Sequence, residues 1–126
     1  MTDPAQNHKE AIAKMEERWG LMSRSEVCKL LSIQPMEIAI KEASGSLLSF
    51  MKESAWVFPG FQFDGPRTSE HMSTIQDAFI AADWDDEDIA LWFASPQGSC
   101  DGAIPAELLF TEPQRVIDAA QVTALG

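Results

Sequence analysis

Histidine and cysteine are scarce in this sequence, and their scarcity removes most metal chemistry. The two histidines, His8 and His71, have no cysteine or second histidine at ligand spacing, so no zinc site is expected. The two cysteines, Cys28 and Cys100, form no CxxC pair and are expected as free thiols of a reducing compartment. GxxxxGK(S/T), GxGxxG and HExxH are all absent, which excludes the recognisable phosphate, dinucleotide and metalloprotease motifs. No serine is visibly paired with a base. The expectation is a non-catalytic binding protein that needs no cofactor. No apolar run approaches the roughly 20 residues that span a bilayer, and the start, Met1–Asn7, lacks the basic and apolar segments of a signal peptide. A cytoplasmic protein without a membrane segment is therefore expected.

Basic residues are also few, and unevenly placed. Residues 1–63 carry seven Lys/Arg against eight Asp/Glu, whereas residues 64–126 carry two against twelve, so almost all of the net charge of −11 lies in the second half. That half repels phosphate backbones and anionic membranes at long range. Any contact with nucleic acid falls to the first half, and the second half suits a protein partner.

What is present is a helical pattern of ordinary hydrophobicity, 45% over 126 residues, enough for one domain or two small lobes sharing a core. Ala11, Ile12, Met15 and Trp19 recur at helical spacing over 4–19, on a helix whose other face is so polar that it is expected to fray or to pair between chains. Ser23 and Glu26 form a capping box before Val27, Leu30 and Leu31. Ser32–Pro35 breaks that helix, and Pro35 opens a second one carrying Met36, Ile38, Ala39 and Ile40 and ending at Gly45. A hairpin is expected over 47–58, with Lys52-Glu53-Ser54 as its turn, and Phe61-Gln62-Phe63 continuing in extended form. The expected fold is mainly α with a small β-hairpin: an N-terminal helix (1–20), a winged helix-turn-helix (21–65) and a small C-terminal helical lobe (66–126).

In that lobe a helix over 69–82 places Met72, Ile75, Ala78, Phe79 and Ala82 on one face. Another follows Asp85 through Ile89, Leu91, Trp92 and Phe93, a short one begins at Pro105, and the last carries Val116, Ile117, Ala120 and Val122 or Leu125. The run Asp83-Trp84-Asp85-Asp86-Glu87-Asp88 fails as a calcium loop, because Asp88 stands where glycine is needed and Ala94 where glutamate is needed. It reads as a capped helix start, or as a protein-contact surface. Trp92 reads as core. Trp56 reads as core or as a partly exposed wing residue.

Ser25–Ile33 resembles the first helix and turn of excisionase-like and MerR-like DNA-binding domains. Leu47-Leu48 and Trp56–Asp64 resemble their wing and the "YPAFQF"-type segment after it. Asp88–Pro96 resembles the "ALWLxxP" signature of the antitoxin Xre/MbcA/ParS toxin-binding domain, and the similarity continues through Gly102–Leu109 and Gln114–Ile117. The resemblance implies an antitoxin that binds operator DNA and neutralises a protein toxin of the RES-domain type. Candidate DNA contacts are Arg24, Lys29, Gln34, Lys41 and Lys52, in a monomer or a homodimer. Candidate partner contacts are Asp83, Asp85, Asp86, Asp88, Gln97 and Asp101. The second helix departs from the pattern: Glu37 and Glu42 offset Gln34 and Lys41, so a helix-turn-helix turned to protein binding is the alternative.

Overall fold

The computed structural model describes residues 4–126, so Met1–Asp3, the start of the expected N-terminal segment (1–20), lies outside the described residues. Helix α1 (Pro4–Trp19) leads into strand β1 (Leu21–Met22), helix α2 (Arg24–Leu31) and helix α3 (Pro35–Ala43). Strands β2 (Phe50–Lys52) and β3 (Ala55–Pro59) form a hairpin, followed by a short 3-10 turn and the two-residue strands β4 (Phe63–Asp64) and β5 (Arg67–Thr68). Helices α4 (Met72–Ala81), α5 (Asp86–Phe93), α6 (Pro105–Leu108) and α7 (Pro113–Leu125) complete the chain. The protein is mainly helical with a small antiparallel sheet. Among the described residues no helix is long and apolar enough to cross a membrane.

The ends of α2 and α3 are set as the residues demand. The Ser23 side chain accepts from the Glu26 N–H at 3.1 Å, and the Glu26 carboxylate accepts from the Ser23 N–H at 3.0 Å. Those bonds hold the Glu26 carboxyl below its usual range. At the far end of α3, Ser46 N–H donates to Lys41 O at 2.8 Å and Gly45 N–H to Glu42 O at 3.1 Å. Gly45 sits between them at φ 79°, a complete Schellman cap.

The hairpin is shorter than the alternation suggested, and it is one strand wider. Lys52 pairs with Ala55 inside the ladder, so the turn is only Glu53-Ser54, both at positive φ as a type I′ turn requires. β1 joins on the far edge of β3, pairing Leu21 with Pro59 and Met22 with Phe58, to give the order β1-β3-β2. Leu47 and Leu48 are buried but lie outside the strand. The reason is Gln62, whose buried side-chain amide donates to Leu48 O and accepts from Leu48 N–H, each at 2.8 Å. A side chain thus stands in for a neighbouring strand, and Gly60–Gln62 turns into a 3-10 helix instead of continuing extended.

One large apolar cluster draws on both halves of the chain. It contains Ile12 and Met15 of α1, Phe50 and Phe61, Ile75 and Phe79 of α4, Ile89 and Phe93 of α5, and Val116 and Ile117 of α7. α1 therefore packs within its own chain, against the expectation that it frays or pairs with another. Its apolar face finds α5 and β3, and Trp19 meets Phe61 edge-on at 5.8 Å. Arg18–Glu107 and Lys52–Glu16 ion pairs flank the contact. A second cluster, Val27, Ile38, Leu47 and Phe58, fixes α2 and α3 to the sheet. Val122 and Leu125 are exposed, because the inward face of α7 is completed by Ala119 and Ala120 instead.

Candidate functional site

Two surfaces gather the candidate residues. The first is α3 and its surroundings. Of the nine residues of this helix only Ile38 is fully buried; Lys41 and Glu42 are half-buried and the other six are exposed. Its outward stripe is apolar: Met36 is 75% exposed and Ile40 62%, with the shorter Ala39 and Ala43 beside them. Gln34 and Glu37 are exposed at its start, where the Gln34 N–H donates to the Glu37 carboxylate at 3.4 Å.

The five candidate DNA contacts separate into two groups. Lys29, Gln34 and Lys41 lie on or beside the α2–α3 pair, and neither lysine has an ion-pair partner among the described residues. Arg24 and Lys52 are committed elsewhere. The Arg24 guanidinium meets the Glu42 carboxylate at 2.5 Å and lies 5.6 Å from the Phe58 ring centroid, while Glu42 also accepts from the Ser49 hydroxyl at 2.6 Å. This network ties α2, α3 and the chain before β2 together, so Arg24 is a structural residue first. Lys52 donates to Glu16 of α1 at 2.9 Å, a bond that raises its pKa and holds the hairpin against α1. The sequence does not show these pairings, because each joins residues far apart in the chain.

The second surface is built by the acidic run, whose members have different tasks. Asp83, at φ 64°, ends α4: Trp84 N–H donates to Phe79 O and Asp83 N–H to Ile80 O, each at 3.0 Å. This is a Schellman cap with aspartate in the left-handed position, and its usual apolar contact is Trp84 on Phe79, 4.6 Å between centroids. Asp85 caps α5, its carboxylate accepting the Asp88 N–H at 2.8 Å. Asp86 lies toward the α3 side of the molecule, where burial first, and then Asp85 and Glu42, push its pKa up. Glu87 and Asp88 face the two ring nitrogens of His8, at 3.5 and 3.3 Å. Among the described residues no three His, Cys, Asp or Glu side chains are placed to share a metal ion.

Three of the six candidate partner residues come together. Asp83, Asp88 and Gln97 line an open groove of about 630 Å³ with Trp84, Leu91, Trp92, Ala82 and Thr123. Gln97 is oriented by its side-chain amide, which donates to Trp92 O at 3.0 Å. Trp92 is core, as its spacing suggested, at 4% exposure, and it is also one of the groove's lining residues; its indole N–H is buried and finds no acceptor among the described residues. Asp85 and Asp86 do not line the groove, and neither does Asp101, whose nearest cation is Arg115 at 3.9 Å. Asp85 is engaged instead in capping α5. Trp84 and Leu91 were missed as site residues. The signal for Trp84 was its place directly after the residue that ends α4.

Cys28 and Cys100 are both free. Burial raises the Cys100 thiol pKa, which makes it a packing residue and not a nucleophile. Trp56 is 44% exposed, across the ladder from the likewise exposed Met51.

No protein family matches the chain, and no curated protein matches it. Among solved structures the fold is similar to the NMR structure of Rv2175c, with a TM-score of 0.73 over 82% of this chain and 80% of that one. The two are 19% identical, so the likeness speaks for the fold alone.

Proposed function

We propose that this chain is a non-catalytic regulator of the antitoxin type, cytoplasmic, with α2, α3 and the hairpin acting as a winged helix-turn-helix on DNA and the C-terminal helices holding a protein partner. The observation that carries the reading is the presentation of α3: a helix closed by the Gly45 cap, fixed by Ile38 and the Glu42 bonds, exposed along most of its length and leading to the hairpin. Lys29 and Lys41 supply the phosphate contacts and Gln34 a base-edge contact, with Arg24 holding the pair of helices in register. So few cations on an acidic chain make binding weak, with a salt slope set by the few phosphates they neutralise, and two copies on one site strengthen and steepen it. A RES-domain toxin is the partner class that the resemblance implies.

The test is a titration of the full chain against the DNA upstream of its own reading frame, at two salt concentrations. Lys29→Ala with Lys41→Ala should weaken binding and flatten the salt dependence by about two charges. A second reading rests on one observation: Met36 and Ile40 form an exposed apolar stripe next to Glu37, which suits a protein surface better than a duplex. Absence of DNA binding at micromolar chain, together with loss of partner capture in Met36→Glu/Ile40→Glu, would decide for that reading.

A further inference from the structure

We infer that the groove between the α4–α5 turn, α5 and α7 takes an arginine or lysine side chain from a peptide segment of the partner. The inference rests on the partner-binding reading of the C-terminal helices and names the chemistry of the contact. Four observations converge. Asp83 and Asp88 place two carboxylates at the groove, in a half of the chain with ten more acidic than basic residues. Trp84 and Trp92 are both lining residues of the groove, and tryptophan is the ring from which a cation gains most. Trp84 is held there by the cap that ends α4 and by its contact with Phe79, so that part of the lining is preformed. The Trp92 indole N–H is the one buried side-chain polar atom among the described residues without a partner in the protein, and it belongs to a residue that lines this groove.

That last feature selects the ligand. An unpaired buried donor is costly and calls for an acceptor, which a free ammonium or guanidinium lacks and a peptide carbonyl supplies. A basic side chain with its own backbone therefore answers both the carboxylates and the indole. One oxygen of Asp88 already faces His8 Nε2 at 3.3 Å, so Asp83 carries the larger part of the attraction.

The experiment is a chemical-shift titration of the full ¹⁵N-labelled chain, in which the four tryptophans give four separate indole signals. The probes are capped Gly-Arg-Gly and the same peptide with neutral citrulline for arginine. With the arginine peptide the Trp84 and Trp92 indole signals should move saturably while Trp19 and Trp56 stay fixed. Asp83→Asn with Asp88→Asn should weaken that binding about tenfold, as loss of a close charge pair implies. Asparagine tolerates the left-handed backbone at position 83, so the fold is retained. Equal shifts with citrulline, or shifts elsewhere in the C-terminal helices with Trp84 and Trp92 still, would overturn the groove and keep the partner-binding surface. No shift anywhere up to millimolar peptide would count against both.

Discussion

Gly60 is the position where a single methyl group should do most damage. A Cβ added there would lie 2.0 Å from the carbonyl oxygen of Trp19 and 3.0 Å from its carbonyl carbon, with Gly20 O at 3.3 Å. All three are backbone atoms, so no side chain can swing aside, and the main chains must separate by more than an ångström. That separation breaks the 2.9 Å hydrogen bond from Gly60 N–H to Gly20 O and lifts β1 from β3. Overpacking usually costs about 1–3 kcal/mol, and a clash of backbone with backbone belongs at the upper end. About 3 kcal/mol is a large part of a stability of roughly 5–15 kcal/mol, and for a chain of this size it lowers Tm by about 10 °C. Gly98→Ala is the matched control, because its Cβ meets nothing within 4 Å and its backbone is not left-handed. Differential scanning calorimetry of the two variants gives the answer. Equal melting temperatures would refute the argument that β1 is pinned by the close approach at Gly60.

Replacing Glu53-Ser54 by Asn-Gly should stabilise the protein by about 1 kcal/mol, since both residues hold a positive φ that Asn and Gly adopt more cheaply; the midpoint of urea unfolding reads it. Asp86→Asn should raise Tm at pH 7. The carboxyl pKa is raised in the folded protein, so stability falls as pH rises through it, and the gain should vanish below about pH 4, where the aspartate is protonated in both states. Met36→Lys with Ile40→Lys touches only exposed positions and should leave stability within about 0.5 kcal/mol, while gel shifts should show tighter DNA binding if α3 lies on a duplex. A fragment of residues 1–65 should lack a cooperative melting transition, because it strips Phe50 and Phe61 of their partners in α4 and α5.

What could be read in advance was local. The Ser23 box, the Pro35 start, the Gly45 cap and the Asp85 cap each depend on residues within five positions, and each forms where its chemistry asks. What escaped depends on residues distant in sequence. β1 is only Leu21–Met22, too short to show an alternation, and exists because β3 offers it an edge. Gln62 looks like one polar residue between two aromatics, and only the fold brings Leu48 to its amide. The groove was half legible. Asp83, Asp88 and Gln97 were named from charge and loop position, but charge cannot tell a carboxylate that caps a helix from one that faces a ligand. That distinction turns on backbone geometry. Asp85 spends its oxygen on the Asp88 N–H, whereas Asp83 caps through its backbone and is a lining residue of the groove.

The same core explains why charge can be so unequally divided. Ten net negative charges in 63 residues would strain a lobe that had to fold alone, and the other half brings side chains that face some of these carboxylates. His8 faces Glu87 and Asp88 across the α1–α5 contact, and Arg18 pairs with Glu107. These are exposed pairs, each worth little by itself. Their effect is to place α1, the most polar helix, over the acidic start of α5 while Ile12 and Met15 enter the shared core beneath. Asp83, on the groove side, has no ion-pair partner among the described residues. A partner that brings its own cation there meets charge which the protein has not neutralised internally, and this favours fast, salt-sensitive association at the groove over association at α1.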